Sequence, residues 1–573
     1  MLIDSMKKLK IILTFFIIIS GCKYESASVN KELVEGRDII TTHGMVVSAH
    51  PQSSRTGAGI LQKGGNAVDA AVAVEFSLAV CYPEAGNIGG GGFMVIRNSD
   101  GSKAVIDYRE KAPLDASRDM YLDNSGKIIE GLSTETHLAS GVPGTVDGMI
   151  KIHSRYGKLN FRDVIQPAID LAEKGFPVTM GQAASLNRNR EYFISKNAVP
   201  PAFVRDSTWK EGDILRQPEL AETLKRIRDL GRDGFYSGET ADLIVKEMKR
   251  DNGIITKKDL ENYSSSFREP LKSDYKNYDL ITVPPPSGGG ITLIQLLGMV
   301  EPFPLREWGF HSVKSVHLIT EAERRAFADR SEFSGDADFV KVPVQGLLNK
   351  KYLAERMSDF VENKASSSSL IKAGNRPVAE SEETTHFSVA DQYGNAVAAT
   401  TTLNNTFGSG IVVEGAGFLL NNEMDDFSVK PGEPNIYGLT GGDANAIEPG
   451  KRMLSSMTPV IVEKDGKLFL IAGSPGGSTI PTTVFQVIIN VLDYNMKVSE
   501  AVDTGRFHHQ WLPDYISIET NSIDSLTLND LERMGHGYRD RTSIGSVNAI
   551  QILPDGKMAG GADRRGYNTA CGY

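Results

Sequence analysis

The chain is 573 residues long, 40% hydrophobic and 23% charged, with 57 glycines and 25 prolines, an ordinary globular balance that leans towards loops. Its formal net charge is −10. With no compensating basic stripe, that charge argues against a nucleic-acid partner. Length allows several average domains or one large interlocked one.

The N-terminus reads as a targeting segment. Lys7, Lys8 and Lys10 precede the apolar run IILTFFIIIS, too short and one-sided to span a membrane. Ile19-Ser20-Gly21-Cys22 follows at once and resembles the lipobox of bacterial lipoproteins, in which the cysteine is lipidated and becomes the first mature residue. The expectation is a signal peptide over 1–21, a tether over 22–36, and an exported protein lipid-anchored at Cys22 to the bacterial cell envelope, on its periplasmic or outer-membrane side. Only Cys81 and Cys571 then remain, too few for a disulfide scaffold, and no Cys/His spacing suggests zinc.

Regular structure begins with a strand, MVVSAH, at Met45–His50. Gly64–Cys81 predicts a helix apolar nearly all round and therefore buried; Asp69 and Glu75 argue against a membrane span. Four glycines, Gly89–Gly92, precede the strand FMVIRN and point to backbone packed closely against something. Neither GxGxxG nor a P-loop lysine supports a phosphate cradle. From Phe161 to about Asn262 the pattern is mostly helical. PPPSGGG at Pro284–Gly290 breaks the chain before the helix ITLIQLLGMVE. A polar segment runs from Ser366 to Glu383, after which strands and glycine-rich loops dominate, so the composition breaks just before Thr384.

That break carries the chemistry. Past Thr385, apolar and polar residues alternate; Asp391–Asn395 is a turn, and AVAATTTL resumes the strand. Pairing Ala390 with Ala396 sets Thr384 opposite Thr402. A threonine hydroxyl is a poor nucleophile without an adjacent base, and one available base is its own α-amino group. The unperturbed pKa of such an amine, about 7.7–8.0, suits neutral pH. Exposing it requires scission of Glu383–Thr384, and the acidic loop upstream would serve as a cleavable leash.

TTHFSVAD, NAVAATTTLN, NNEMDDFS, LSSM and GSPGGS, with DYREKAP and FHHQWLPD, resemble in order the motifs of the γ-glutamyltransferase (glutathione hydrolase) family of N-terminal-nucleophile hydrolases, from about Asp38 to the closing Gly-Tyr. The resemblance implies an α+β, four-layer αββα fold, self-cleaved into 37–383 and 384–573 yet acting as one domain, with no cofactor and no metal. It implies Thr384 as nucleophile and Thr402 as its hydrogen-bond partner. Arg109, Ser455 and Ser456 would bind the α-carboxylate of a γ-glutamyl donor, and Asn404, Glu423 and Asp426 its α-ammonium. The N–H groups of Gly476 and Gly477 would form the oxyanion hole, and Tyr437 would tip a lid loop over 430–445. Substrates would be glutathione and other γ-glutamyl compounds, with water, amino acids or peptides as acceptors.

Other readings stand beside these. Arg109 could pair with Glu110 or Asp107, and Asp425-Asp426 could cap a helix or bind a cation, although no EF-hand spacing is present. His508 and His509 face opposite ways on a strand and read as structural. His386 shares a strand face with Thr384, which leaves open a second base. A glutaryl-type amidase and a non-catalytic surface lipoprotein are the rival functions.

Overall fold

The computed structural model describes residues 32–372, 384–433, 435, 438–439 and 441–573. Cys22, Glu383 and Tyr437 lie outside the described residues.

Two antiparallel sheets stack face to face. In spatial order across the first, the strands are Val34–Gly36, Thr569–Gly572, Gly44–Ser48, Thr385–Asp391, Ala396–Thr402, Gly91–Arg97, Lys103–Asp107 and Ser266–Arg268. The second runs Asp38–Thr41, Met558–Ala562, Asn548–Ile552, Lys467–Ala472, Val460–Lys464, Tyr278–Thr282 and Leu271–Tyr275. Segments from either side of Thr384 therefore interleave in both sheets.

Period-two alternation divides the core. On the first sheet, Val46, Phe387, Val389, Val397 and Ile106 face the helices Pro51–Gln62 and Ala67–Cys81. Met45, Val47, Ala390, Ala396 and Ala398 face the second sheet, where they meet Val462, Leu470 and Ile550. The helices Gly289–Val300, Val313–Phe333 and Ile480–Leu492 belong to this second core. The resulting order, helix, sheet, sheet, helix, is the expected αββα sandwich.

Every residue of Ala67–Cys81 is buried, as its unbroken apolar surface requires. The helix begins at Ala67 rather than Gly64, because Asn66 caps it in a capping box with Asp69. Cys81 and Cys571 are free and buried. Residues 161–262 are mainly helical, as read. The Pro51–Gln62 helix was not anticipated; its serines and glycines carry little apolar periodicity. No helix among the described residues is long and apolar enough to cross a membrane.

Candidate active site

The hairpin forms in the expected register. Ala390 pairs with Ala396 and Thr385 with Thr401, so Thr384, one residue beyond the ladder, stands at the level of Thr402. Three of the four glycines before the next strand press on the same hairpin or its surroundings: a Cβ on Gly90 would meet the Thr402 carbonyl and one on Gly92 the Thr400 carbonyl, while Gly89 abuts the Leu419 carbonyl. Asn87 holds this corner by donating its amide to the Thr402 carbonyl at 2.8 Å while its own carbonyl accepts from the Gly90 N–H and the Thr145 hydroxyl. The Thr402 hydroxyl accepts the Asn404 N–H at 2.8 Å, and the Asn404 side chain donates to the Asn422 carbonyl.

Thr384 opens on a narrow cleft lined by Arg109, Thr402, Asn404, Asp426, Leu439, Ser455, Ser456, Met457, Gly477 and Ile480. Eight predicted site residues, Thr384 among them, thus converge from six separate stretches of chain. Arg109 is buried at the strand-end of DYREKAP. It contacts Glu423 at 2.6 Å and Glu110 at 3.5 Å, and it donates to Asp426. Burial works against its charge, but Glu423, Glu110 and Asp426 outweigh that and hold the guanidinium firmly protonated. Burial in turn pushes the Glu110 carboxyl up to about 7 and raises those of Glu423 and Asp426, against the pull of Arg109. Arg109 pairs with Glu110, as its neighbour in sequence suggested, but inside the site rather than on the surface.

Ser455 and Ser456 are held from behind by the segment that reads simply as a chain break. The Ser455 carbonyl accepts the Gly288 N–H at 2.9 Å, and the Ser455 N–H donates to Pro286. A Cβ on Gly289 would stand 2.2 Å from the Thr458 hydroxyl and 2.5 Å from the Ser456 carbonyl, so only glycine lets the two strips touch. PPPSGGG is therefore scaffolding for the serine wall, which its turn-like composition alone could not reveal.

Gly476 and Gly477 both take positive φ, 133° and 50°, and lead into the Ile480–Leu492 helix, whose N-terminus faces the cleft at Ile480. The loop over 430–445 also reaches the site: Leu439 lines it, and Asn435 donates to Asp426 at 3.2 Å.

The histidines are accounted for elsewhere. His386 is fully buried between Thr400 at 2.9 Å and Ser388 at 3.2 Å, and burial lowers its pKa to about 3. With both ring nitrogens engaged in the fold, it is not a base for Thr384. His508 bonds Thr482 and Gln510, and His509 bonds Asp514, consistent with structural roles. Asp425 accepts the Ser133 hydroxyl at 2.7 Å.

The sequence profile of the gamma-glutamyltranspeptidase family matches residues 53–573. The chain belongs to that family. Its glutathione hydrolase proenzyme relative from Escherichia coli (strain K12) is 48% identical over 535 residues, 92% of each chain. A crystal structure of Helicobacter pylori gamma-glutamyltranspeptidase is 44% identical, with a TM-score of 0.57 over 58% of this chain and 96% of that one. The cephalosporin acylase from Bacillus halodurans shares the fold, with a TM-score of 0.80 over 94% and 97% of the two chains at 24% identity. Within the gamma-glutamyltranspeptidase fold, then, the cleft described here sits at the seam between the two segments that meet at Thr384.

Proposed function

We propose that the chain is a self-processing γ-glutamyltransferase and glutathione hydrolase that uses Thr384 twice. In the precursor, the Thr384 hydroxyl attacks the Glu383 carbonyl carbon. The peptide C–N bond breaks, the nitrogen takes a proton, and water opens the resulting ester to leave Glu383 as a carboxylate. Thr384 then carries a free α-amine beside its own hydroxyl.

In turnover that amine accepts the hydroxyl proton as the oxygen attacks the γ-glutamyl amide. Gly476 and Gly477 N–H groups stabilise the oxyanion, and the amine product leaves with the proton. Water, an amino acid or a peptide then takes the acyl group from Thr384. Arg109, Ser455 and Ser456 bind the donor's α-carboxylate; Asn404, Glu423 and Asp426 bind its α-ammonium; Tyr437 and its loop cover the cleft. Glutathione and its conjugates are the donors.

The observation that carries this reading is the convergence on one cleft of Thr384, Gly477, Arg109 and Asp426, with Glu423 paired to Arg109 from behind the lining. Such a cluster offers both signs of charge at one end of a small pocket, which suits a zwitterionic head group. A glutaryl donor lacks the ammonium and so would make no contact of that kind with Glu423 or Asp426.

The test is expression without residues 1–21, followed by a denaturing gel and N-terminal sequencing. Two bands of about 39 and 21 kDa are expected, the smaller beginning Thr-Thr-His, together with hydrolysis of γ-glutamyl anilides well above glutaryl anilides. An uncut yet active protein would overturn the mechanism, and an uncut inactive one would favour a binding lipoprotein. Envelope anchoring through Cys22 belongs to the same proposal: palmitate label should enter the full-length chain and be absent from Cys22→Ser.

A further inference from the structure

One buried amide stands behind two walls of the cleft. Gln510, in FHHQWLPD, is 6% exposed and is not itself among the cleft-lining residues. Its Oε1 accepts the Ser478 hydroxyl at 2.8 Å and lies 3.0 Å from His508 Nε2. Its Nε2 donates to the Gly438 carbonyl at 3.3 Å. Ser478 directly follows Gly477, and Gly438 directly precedes Leu439. Gly477 and Leu439 both line the cleft.

The turn over 476–479 is closed on itself by Thr479, whose N–H and hydroxyl donate to the Gly476 carbonyl at 2.9 and 2.8 Å. Those bonds set its shape but not its aim, and the two glycines add little torsional restraint of their own. The Ser478–Gln510 bond ties the turn to a separate stretch of chain. On the other side, the Asn435 N–H donates to the Leu439 carbonyl and the Leu439 N–H to the Asn435 side chain, each at 3.2 Å. Asn435 anchors this strip to Asp426, and Gln510 anchors it at Gly438. Leu439 also packs in one small apolar cluster with Trp511 and Leu512, the two residues after Gln510. A glutamine carries its acceptor and its donor at a fixed separation, so one rotamer makes both bonds.

We propose that Gln510 is a positioning residue that aligns the oxyanion turn and the loop over 430–445 through a single side chain. Its Oε1 fixes Ser478, and with it the direction of the Gly477 N–H. Its Nε2 fixes Gly438, and with it the place of Leu439 at the cleft. Gln510 touches neither donor nor acceptor. The inference rests on the reading of the cleft as a γ-glutamyl site with Gly476 and Gly477 as oxyanion donors, and it gives FHHQWLPD a part in turnover.

The experiment compares processed wild type, Gln510→Glu and Gln510→Leu by kinetics on γ-glutamyl-4-nitroanilide and by limited chymotrypsin digestion at Tyr437 and Leu439, read by mass spectrometry. Gln510→Glu keeps an acceptor for Ser478 but sets an oxygen against the Gly438 carbonyl. It should release the loop: digestion about fivefold faster, KM up about threefold to tenfold, and kcat within about threefold of wild type. Gln510→Leu loses both bonds and should add a kcat loss of about tenfold or more. Ser478→Ala should reproduce that kcat loss. If wild type does not hydrolyse the γ-glutamyl donor, the functional reading falls and this proposal with it. If wild type hydrolyses it, three results sink the proposal alone: either Gln510 variant digested no faster than wild type, kcat kept in Gln510→Leu or Ser478→Ala, or kcat lost as fully in Gln510→Glu as in Gln510→Leu. Should Gln510→Leu fail to self-cleave, Gln510→Met takes its place; failure of all three Gln510 variants to process would assign Gln510 to the fold and overturn the proposal.

Discussion

Gly90 lies directly against Thr402: a Cβ on Gly90 would stand 2.1 Å from the Thr402 carbonyl oxygen. That oxygen belongs to the strand opposite Thr384, so the position of the hairpin end is set partly by the absence of one side chain.

Gly90→Ala should therefore displace the end of Ala396–Thr402. The overlap is with backbone, which cannot swing aside, so a loss of about 3 kcal/mol in stability is expected. Self-cleavage should slow in parallel, measured as the fraction of uncut precursor on a gel over time. Normal processing with an unchanged melting temperature would show that the contact is not a constraint.

Asp426 both pairs with Arg109 and accepts from Asn435. Asp426→Ala should raise KM for γ-glutamyl donors by about a hundredfold, since it removes the acceptor proposed for the donor's ammonium and leaves a buried guanidinium short of one partner. Its effect on glutaryl donors should be much smaller. Steady-state kinetics on the two anilides checks this.

His386 offers a cleaner negative. The acidic limb of the pH–rate profile should report the Thr384 α-amine and stay in place in His386→Gln, because an imidazole held near pKa 3 does not titrate there. Melting temperature, by contrast, should drop through loss of the Thr400 and Ser388 bonds. A limb that moved with this substitution would restore His386 as a base.

Glu75 sits wholly inside the buried helix, and burial raises its carboxyl to about 8. The folded chain holds this proton up to about pH 8 whereas the unfolded chain releases it near 4.5, so the folded state binds more protons across that window. Its contribution is intact below about 4.5 and falls as pH rises, by at most about 1.4 kcal/mol per pH unit. Glu75→Gln should match wild type at pH 4 and become the more stable protein by pH 8. Denaturant titrations at the two pH values decide it. His50, His386 and His509, whose pKa values burial lowers to between about 3 and 4, tilt stability the other way in both proteins, adding to it as pH rises towards 6.5.

Local pattern carried much of this architecture. Strand alternation and one turn fixed the hairpin register, and the glycine run announced a close approach without saying to what. Nothing local marked Pro51–Gln62, whose helix is stabilised mainly by packing on its neighbours. The site residues were legible through their motifs, but their mutual contacts were not: Arg109 meeting Glu423 and Asp426 spans more than 300 residues of sequence. PPPSGGG was missed for the same reason: it looks like a linker, and only packing against Ser455 and Ser456 gives it a meaning.

The terminal strand Thr569–Gly572 lies between Val34–Gly36 and Gly44–Ser48, and the Tyr573 carbonyl accepts the Thr42 and His43 N–H groups. A protein woven in this way has to be finished before it can be divided. The strands Val34–Gly36 and Asp38–Thr41 have nothing to zip onto until Thr569–Gly572 and Met558–Ala562 have been made. Halves made separately would each present raw sheet margins and be prone to clump, whereas a chain nicked after assembly stays locked together without any covalent link.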